Sequence, residues 1–283
     1  MKILITGAGG QLGTELSRVL AHHQLVEFDH HTLDIGVRPG VMAAIARTRP
    51  DVVVHTAALT NVDACETDPA EAWRINAGGT RWVAEAAHRL GAHLVYISTD
   101  YVFDGTNPVA YVEWDRTNPL SVYGRTKAAG EIEAGPHATV VRTSWVAGAG
   151  PNNIVATVLR LAADPDRPLA FVTDQIGRPT FAVDLARTVG ELALDRAQGV
   201  YHVTNQGPVV SWYEYAQAIL QAGGHDRDRV KPITTAELDP PRPAPRPANS
   251  VLDNLALRLA GFPPLPDHRE SLQRLIETRA KSG

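Results

Sequence analysis

The segment Thr6-Gly7-Ala8-Gly9-Gly10-Gln11-Leu12-Gly13 constrains this chain more than any other: an apolar run, Ile3-Leu4-Ile5, precedes it and apolar residues at helical spacing follow it. Glycines at positions 7, 10 and 13 make the pattern GxxGxxG. A turn without side chains lets backbone N–H groups approach a pyrophosphate, and the last glycine lets the helix pack on the strand with its N-terminal dipole aimed at the anion. Glycines alone also make ordinary turns. A strand before, a helix after and an acid closing the next strand turn the pattern into a dinucleotide-binding fingerprint. On this reading Gly7, Gly10, Gln11, Leu12 and Gly13 hold the diphosphate of a nicotinamide cofactor.

The acid is Asp29, placed where a carboxylate accepts hydrogen bonds from both adenosine ribose hydroxyls. Its charge opposes a 2′-phosphate, and no arginine follows directly; His30 and His31 are mostly neutral near pH 7 and read as solvated loop. These residues by themselves favour NADH. Asp34 and Ile35 are expected to flank the adenine. The third strand ends in His55-Thr56-Ala57-Ala58-Leu59-Thr60, where small residues let a ribose and phosphate lie close to the backbone. Ala57, Ala58, Leu59 and Thr60 are therefore cofactor candidates, with tight packing the competing account of the alanines.

Strand-like runs over residues 2–6, 25–29, 52–55, 93–98 and 139–142 alternate with amphipathic segments that begin near Gln11, Val37, Pro69 and Pro119. Runs such as Val52-Val53-Val54 are apolar throughout, as strands covered on both faces of a parallel sheet must be. The pattern predicts an α/β fold: a Rossmann-type doubly wound parallel sheet with helices on both faces and a smaller C-terminal substrate-binding lobe. Residues 1–145 are expected to form the dinucleotide-binding domain, with 146–283 mainly the substrate lobe, interleaved with the first. The proline-dense stretch from Pro240 to Pro247 reads as an ordered connection between helices over 212–221 and 252–259.

A net charge of -4 with 20% charged residues offers nothing that would recruit nucleic acid. No apolar run approaches the roughly 20 residues that cross a bilayer, and the chain opens on a strand with no basic leader, so a cytoplasmic location is expected. Cys65, the 1 cysteine, has no partner for a disulfide or zinc site and reads as a bland thiol near a helix start.

Tyr123-Gly124-Arg125-Thr126-Lys127 sets a phenol and an ammonium on one face of a helix. Reducing a ketone requires a proton for the developing alkoxide, and a phenol of pKa ~10 suits neutral pH poorly unless a cation lowers it. Lys127 is expected to supply that cation and to hold the nicotinamide ribose, so Tyr123 and Lys127 count as both catalytic and cofactor-binding. The pair alone is common on exposed helices; the fingerprint upstream gives it meaning. Ser98-Thr99-Asp100-Tyr101 ends the fourth strand at the carboxyl edge, where doubly wound sheets bind ligands. A hydroxyl there can hydrogen-bond a substrate carbonyl oxygen as charge grows on it. Thr99 is the catalytic choice and Ser98 the second; Asp100 and Tyr101 are expected to touch substrate.

With these residues in place the chain resembles the extended short-chain dehydrogenases/reductases, and within them the RmlD-like dTDP-4-dehydrorhamnose reductase family. The likeness runs through Thr60 to Glu66, Ser98 to Gly105, Gly130-Glu131 and Arg142-Thr143-Ser144-Trp145. Its more specific part is Asp174-Gln175-Ile176-Gly177-Arg178-Pro179-Thr180, Ser211-Trp212-Tyr213 and Arg246-Pro247-Ala248-Asn249-Ser250. The resemblance implies NADPH or NADH as cofactor and hydride delivery to the C4 ketone of a dTDP-6-deoxy-4-ketohexose. It makes Tyr123 the proton donor, Lys127 its partner and Thr99 the carbonyl hydrogen-bond donor. Val62, Asp100 and Trp145 line the sugar pocket on this basis, and Arg246 and Asn249 meet the diphosphate or nucleotide, with a surface ion pair the alternative for the arginine. Some members bind Mg2+ at a dimer contact; Glu15 is a candidate there, but no full ligand set assembles, and no metal site is assigned. The partner expected is a small-molecule nucleotide sugar, with a monomer or homodimer, no nucleic acid and no membrane.

His55 and Thr56 stand where the family usually has Asn and Ala, and Leu59 replaces a more polar or aromatic residue. Related substrates therefore stay open, including other dTDP-ketosugars of antibiotic biosynthesis or dihydrostreptose formation. A non-catalytic cofactor-binding subunit resembling the methionine adenosyltransferase regulatory β-subunit is the competing class. A dehydratase or epimerase is disfavoured, because a dehydratase needs an Asp-Glu pair after the catalytic hydroxyl and here Tyr101 follows Asp100.

Overall fold

Hydrophobic strands followed by amphipathic helices give a regular alternation in the computed structural model, which describes residues 1–282. The first half runs β1 (Lys2–Thr6), α1 (Gln11–Val19), β2 (Gln24–Phe28), α2 (Arg38–Thr48), β3 (Val52–His55), α3 (Val62–Thr67), α4 (Pro69–Ala72), a π-helical turn (Trp73–Gly79), α5 (Thr80–Arg89), β4 (His93–Thr99), α6 (Val122–Ala134) and β5 (Thr139–Thr143). The second half contributes β6 (Val146–Ala147), α7 (Ile154–Ala162), β7 (Leu169–Val172), β8 (Ile176–Gly177), β9 (Thr180–Phe181), α8 (Ala182–Leu194), β10 (Gly199–His202), β11 (Val210–Ser211), α9 (Trp212–Ala222), β12 (Val230–Ile233), α10 (Leu255–Leu259) and α11 (His268–Ser282).

The central sheet is 6-stranded in the order β10-β5-β4-β3-β1-β2, and every pairing in it is parallel. Alternate side chains serve opposite faces. Ile3, Ile5, Val52, Val54, Val95 and Val141 pack with Leu16 of α1 and Leu185 and Val189 of α8, whereas Leu4, Val53, Leu94 and Val140 pack with Ile45 of α2 and Val83 of α5. This is the doubly wound architecture expected, and the chain reverses direction between β1 and β3, where such sheets leave a crevice beyond their carboxyl ends. A separate core joins α7, α9, β7, β12 and α11 around Val158, Phe181, Tyr215, Ile219 and Leu272.

Caps set several boundaries. Ser121 accepts the Gly124 amide, so α6 begins at Val122 rather than near Pro119. Ser211 and Glu214 form a capping box at the start of α9. The helical run from Pro69 is not uniform: it widens into the π-helical turn, which carries the buried Asn76 inward to Leu59 and Thr126. The helix expected over 252–259 is shorter. Leu252 bridges Tyr111 instead, and Asn254 exchanges hydrogen bonds with the Thr204 backbone, which leaves only Leu255–Leu259 helical. Residues 240–247 hold no helix or strand and are anchored through Asp63, which accepts from the Ala244 amide and from Arg242 and Arg246.

Candidate active site

The carboxyl ends of β1, β2, β3, β4 and β5 open onto one cavity of about 790 Å³. Gly7, Asp29, Thr56, Thr99 and Thr143 reach it from those strand ends, and Trp145 and Trp212 close it from the second core. At one end lies the glycine turn. Gly7 has φ +73°, a left-handed conformation that favours glycine, and a β-carbon there would stand 2.7 Å from the Ala57 nitrogen. A β-carbon on Gly13 would overlap the Gly7 carbonyl oxygen, so α1 can approach the turn this closely only with glycine. Gly10 caps α1 without a side chain, directing the helix N-terminus into the cavity.

Asp29 lies beside this turn, its Cβ 3.6 Å from where a β-carbon on Gly9 would stand. Its Oδ1 accepts from the His31 and Thr32 amides and the Thr32 hydroxyl, bonds that hold its pKa below the usual carboxylate value. His30 also lines the cavity, its ring centroid 3.7 Å from that of His31. Asp34 and Ile35 are both in the wall. Arg74 spans this region: Nη1 donates to both Asp34 oxygens at 3.1 and 3.0 Å, while Nε and Nη2 donate to Glu71 at 2.6 and 2.8 Å.

At the opposite end Thr99, Asp100, Tyr101, Tyr123 and Lys127 share the wall with Val62 and Trp145. The Tyr123 phenol shares this wall with the Thr99 hydroxyl, which donates to Asp100 Oδ1 at 2.9 Å. Burial pushes the phenol well above its ordinary pKa, outweighing the Thr99 hydrogen bond that lowers it. Lys127 donates to the Ile97 carbonyl oxygen at 2.5 Å with its ammonium 4.2 Å from the Tyr96 ring centroid. Burial pushes it down to about 7 although Glu131 pulls the other way. The cation therefore does not make the phenol more acidic than usual in this structure; desolvation dominates both groups. Asp100 is raised to about 7, chiefly by burial, and its Oδ2 is buried without a partner.

The indoles of Trp145 and Trp212 stack with centroids 3.6 Å apart and planes 9° from parallel. Trp145 takes a left-handed φ of 49°, held by this stack and by Gly177, whose missing side chain leaves room for the ring.

Most residues singled out in the sequence meet at this cavity: Gln11, Leu12, Ala57, Ala58 and Thr60 line it with those already named. Leu59, Arg246 and Asn249 do not. Leu59 exchanges two backbone hydrogen bonds with the Asn76 carboxamide and packs with Cys65, Val122 and Tyr123. Arg246 makes a two-pronged pair with Asp63 at 3.0 and 2.9 Å. Asn249 donates to the Asn107 and Val109 carbonyl oxygens and accepts from the Val251 amide. Ser98, second choice to Thr99, gives its hydroxyl to Glu131. Glu15 pairs with Arg18 at 2.7 Å, and among the described residues no group of 3 or more His, Cys, Asp or Glu side chains is placed to hold a metal ion. Sequence reading did not single out Arg74, Glu71, Thr143 or Trp212 as wall residues. Thr143 ends β5 at the same carboxyl edge as Thr99 and carried that signal; the others arrive from remote helices.

Residues 1–280 match the family model of the RmlD substrate binding domain. The chain is 40% identical over 287 residues to the Bacillus subtilis spore coat polysaccharide biosynthesis protein SpsK, covering 99% of each. It is 40% identical over 292 residues to a dTDP-4-dehydrorhamnose reductase of Mycobacterium tuberculosis, covering 99% of this chain and 94% of the relative. The crystal structure of dTDP-4-dehydrorhamnose reductase from Bacillus anthracis in complex with NADP matches with a TM-score of 0.92 at 38% identity, over 98% of this chain and 99% of that one.

Proposed function

The chain belongs to the RmlD substrate binding domain family, and from that premise we propose that it reduces the C4 ketone of a dTDP-4-dehydro-6-deoxyhexose with NAD(P)H, forming dTDP-L-rhamnose or a related deoxysugar. The observation that carries this reading is the single cavity with a glycine turn and helix N-terminus at one end and Thr99, Asp100, Tyr123 and Lys127 at the other. The residues present fit a nicotinamide dinucleotide: Gly7 and Gly13 form a cradle that β-carbons would fill. When bound, that cofactor supplies the hydride.

Tyr123 is the proton donor. The phenol is protonated at neutral pH, as a donor to a developing alkoxide must be, and burial, by raising its pKa, leaves the phenolate formed on proton transfer dependent on its neighbours. Thr99 turns its hydroxyl from Asp100 to the substrate carbonyl oxygen, sharing the growing charge with Tyr123. Lys127, anchored on Ile97, sits one turn further along α6 and stabilises the phenolate left behind. Asp100, in the wall beside Thr99, orients the substrate side of the cavity, and the stacked indoles give the pyranose a flat apolar wall. Asp29 keeps its second oxygen for ribose hydroxyls, which supports use of NADH alongside NADPH. Arg246, held by Asp63, contributes to the substrate side by fixing the 240–247 segment beside Val62. On this reading the protein acts in the cytoplasm as a monomer or homodimer. The regulatory-subunit alternative is not favoured by relatives named as reductases.

The test is incubation with NADH or NADPH and dTDP-4-keto-6-deoxy-L-lyxo-hexose, following cofactor absorbance and identifying the sugar by NMR. Stoichiometric cofactor oxidation with a 4-hydroxy product is expected. Cofactor binding without turnover of this or related 4-ketosugars would refute the proposal.

A further inference from the structure

Glu131 lies one helical turn beyond Lys127 on α6. One carboxylate oxygen accepts from the Ser98 hydroxyl at 2.6 Å and Arg142 Nε at 2.9 Å; the other accepts from Arg142 Nη2 at 2.7 Å. Ser98 and Arg142 are register partners on β4 and β5. The ion pair is nearly withdrawn from water, with side-chain exposures of 6% and 12%. A buried pair of this kind is a weak source of stability, because desolvation offsets the attraction. Its position suggests another role.

Three consecutive residues of β4 lie beside the face of α6 that carries Tyr123, Lys127 and Glu131. The Ile97 carbonyl takes the Lys127 ammonium, the Ser98 hydroxyl donates to Glu131, and Thr99 shares the cavity wall with Tyr123. Arg142 continues the chain of contacts, its guanidinium 5.2 Å from the Phe103 ring centroid in the loop that follows Asp100. We propose that Glu131 is a positioning residue for the reduction: its carboxylate, fixed by Ser98 and Arg142, holds the end of β4 in register with α6 and sets a negative charge one helical turn from Lys127.

This inference rests on the roles given above to Tyr123 and Lys127. The groups facing the Lys127 amine are Glu131 on its own helix, His55 on β3, and the Tyr96 ring and Ile97 carbonyl on β4. His55 is buried and neutral, bonded to the Thr6 and Thr80 hydroxyls. Glu131 alone among these groups carries a negative charge. Arg142 of β5 damps its field, yet Glu131 still opposes the burial that pulls Lys127 down to about 7.

Glu131→Gln keeps the shape and removes the charge, but it leaves Arg142 buried and unpaired. Glu131→Gln/Arg142→Gln removes both charges and separates a structural effect from an electrostatic one. In the full chain, the Lys127 titration is followed by NMR of 13C-labelled lysine, alongside kcat and KM against pH. Glu131→Gln is expected to lower the Lys127 midpoint by about one pH unit, a tenfold loss of its charged fraction above the midpoint, and the double variant to lower it by less, because the Arg142 charge is removed as well. The alkaline limb of kcat should move with it, while KM for cofactor and nucleotide sugar stays within about twofold. An unmoved midpoint in the folded Glu131→Gln variant, or full recovery of kcat in the double variant, would overturn the proposal. If the wild-type chain turns over no 4-ketosugar, the functional reading fails while the NMR titration still decides the role of Glu131.

Discussion

Replacing Lys127 by methionine should make the protein more stable at neutral pH while abolishing its activity. Lys127 is 3% exposed, and burial lowers the pKa of its amine from 10.5 to about 7. Between those values the unfolded chain binds a proton that the folded chain does not, so wild-type stability rises with pH through that window and the cost is fully present below it. At ~1.4 kcal/mol per pH unit, the drop from 10.5 to about 7 corresponds to about 5 kcal/mol below pH 7. Methionine removes that cost but leaves the Ile97 carbonyl without its donor, a loss of about 1 to 3 kcal/mol. The net gain expected is about 2 to 4 kcal/mol at pH 6; it shrinks as pH rises above about 7 and reverses before pH 10.5, where the lysine is neutral in both states and only the lost hydrogen bond remains. Urea unfolding of the cofactor-free protein followed by tryptophan fluorescence at a series of pH values measures this directly. A variant less stable than wild type at pH 6, or a stability difference independent of pH, would show that Lys127 does not carry a desolvation penalty.

Gly13→Ala sets a β-carbon against the Gly7 carbonyl and 2.7 Å from the Ala8 Cα. Overpacking of about 1–3 kcal/mol should weaken NADPH binding by about ten- to a hundredfold in a fluorescence titration, and an unchanged Kd would contradict the cradle. Trp212→Ala removes the partner of Trp145, whose stack contributes about 0.5–1.5 kcal/mol beyond its buried area. KM for the nucleotide sugar should rise several-fold with cofactor affinity unchanged; equal losses in both would place the indoles elsewhere in the mechanism. Cys65 is buried and its thiol is pushed up to about 11, so a disulfide reagent at pH 8 should label it only after unfolding, and rapid labelling of folded protein would refute that environment.

The sheet was legible because its information is local. Val52-Val53-Val54 has no polar face to offer water, and the glycine turn needs only its own residues and the strand before it. The short strands of the second half were harder. β10, only Gly199–His202, completes the edge of the central sheet beside β5, a long-range pairing that a four-residue pattern does not announce. The same division holds at the cavity. Asp29 and Thr99 follow from their place at strand ends, whereas Arg74 reaches the wall through Asp34 and Glu71, and Trp212 through its stack on Trp145. Leu59 shows the opposite case: its strand-end position points at the cofactor, but the π-helical turn brings Asn76 in to occupy its backbone.

The central claim, that the phenol at position 123 gives the proton while Lys127 and Thr99 attend it, is tested most directly by single-turnover reduction with Tyr123→Phe alongside its cofactor Kd. The account predicts a fall of about a hundredfold or more in the chemical step with NADPH affinity nearly unchanged. Reduction at the wild-type rate, or a loss explained entirely by weaker cofactor binding, would contradict it.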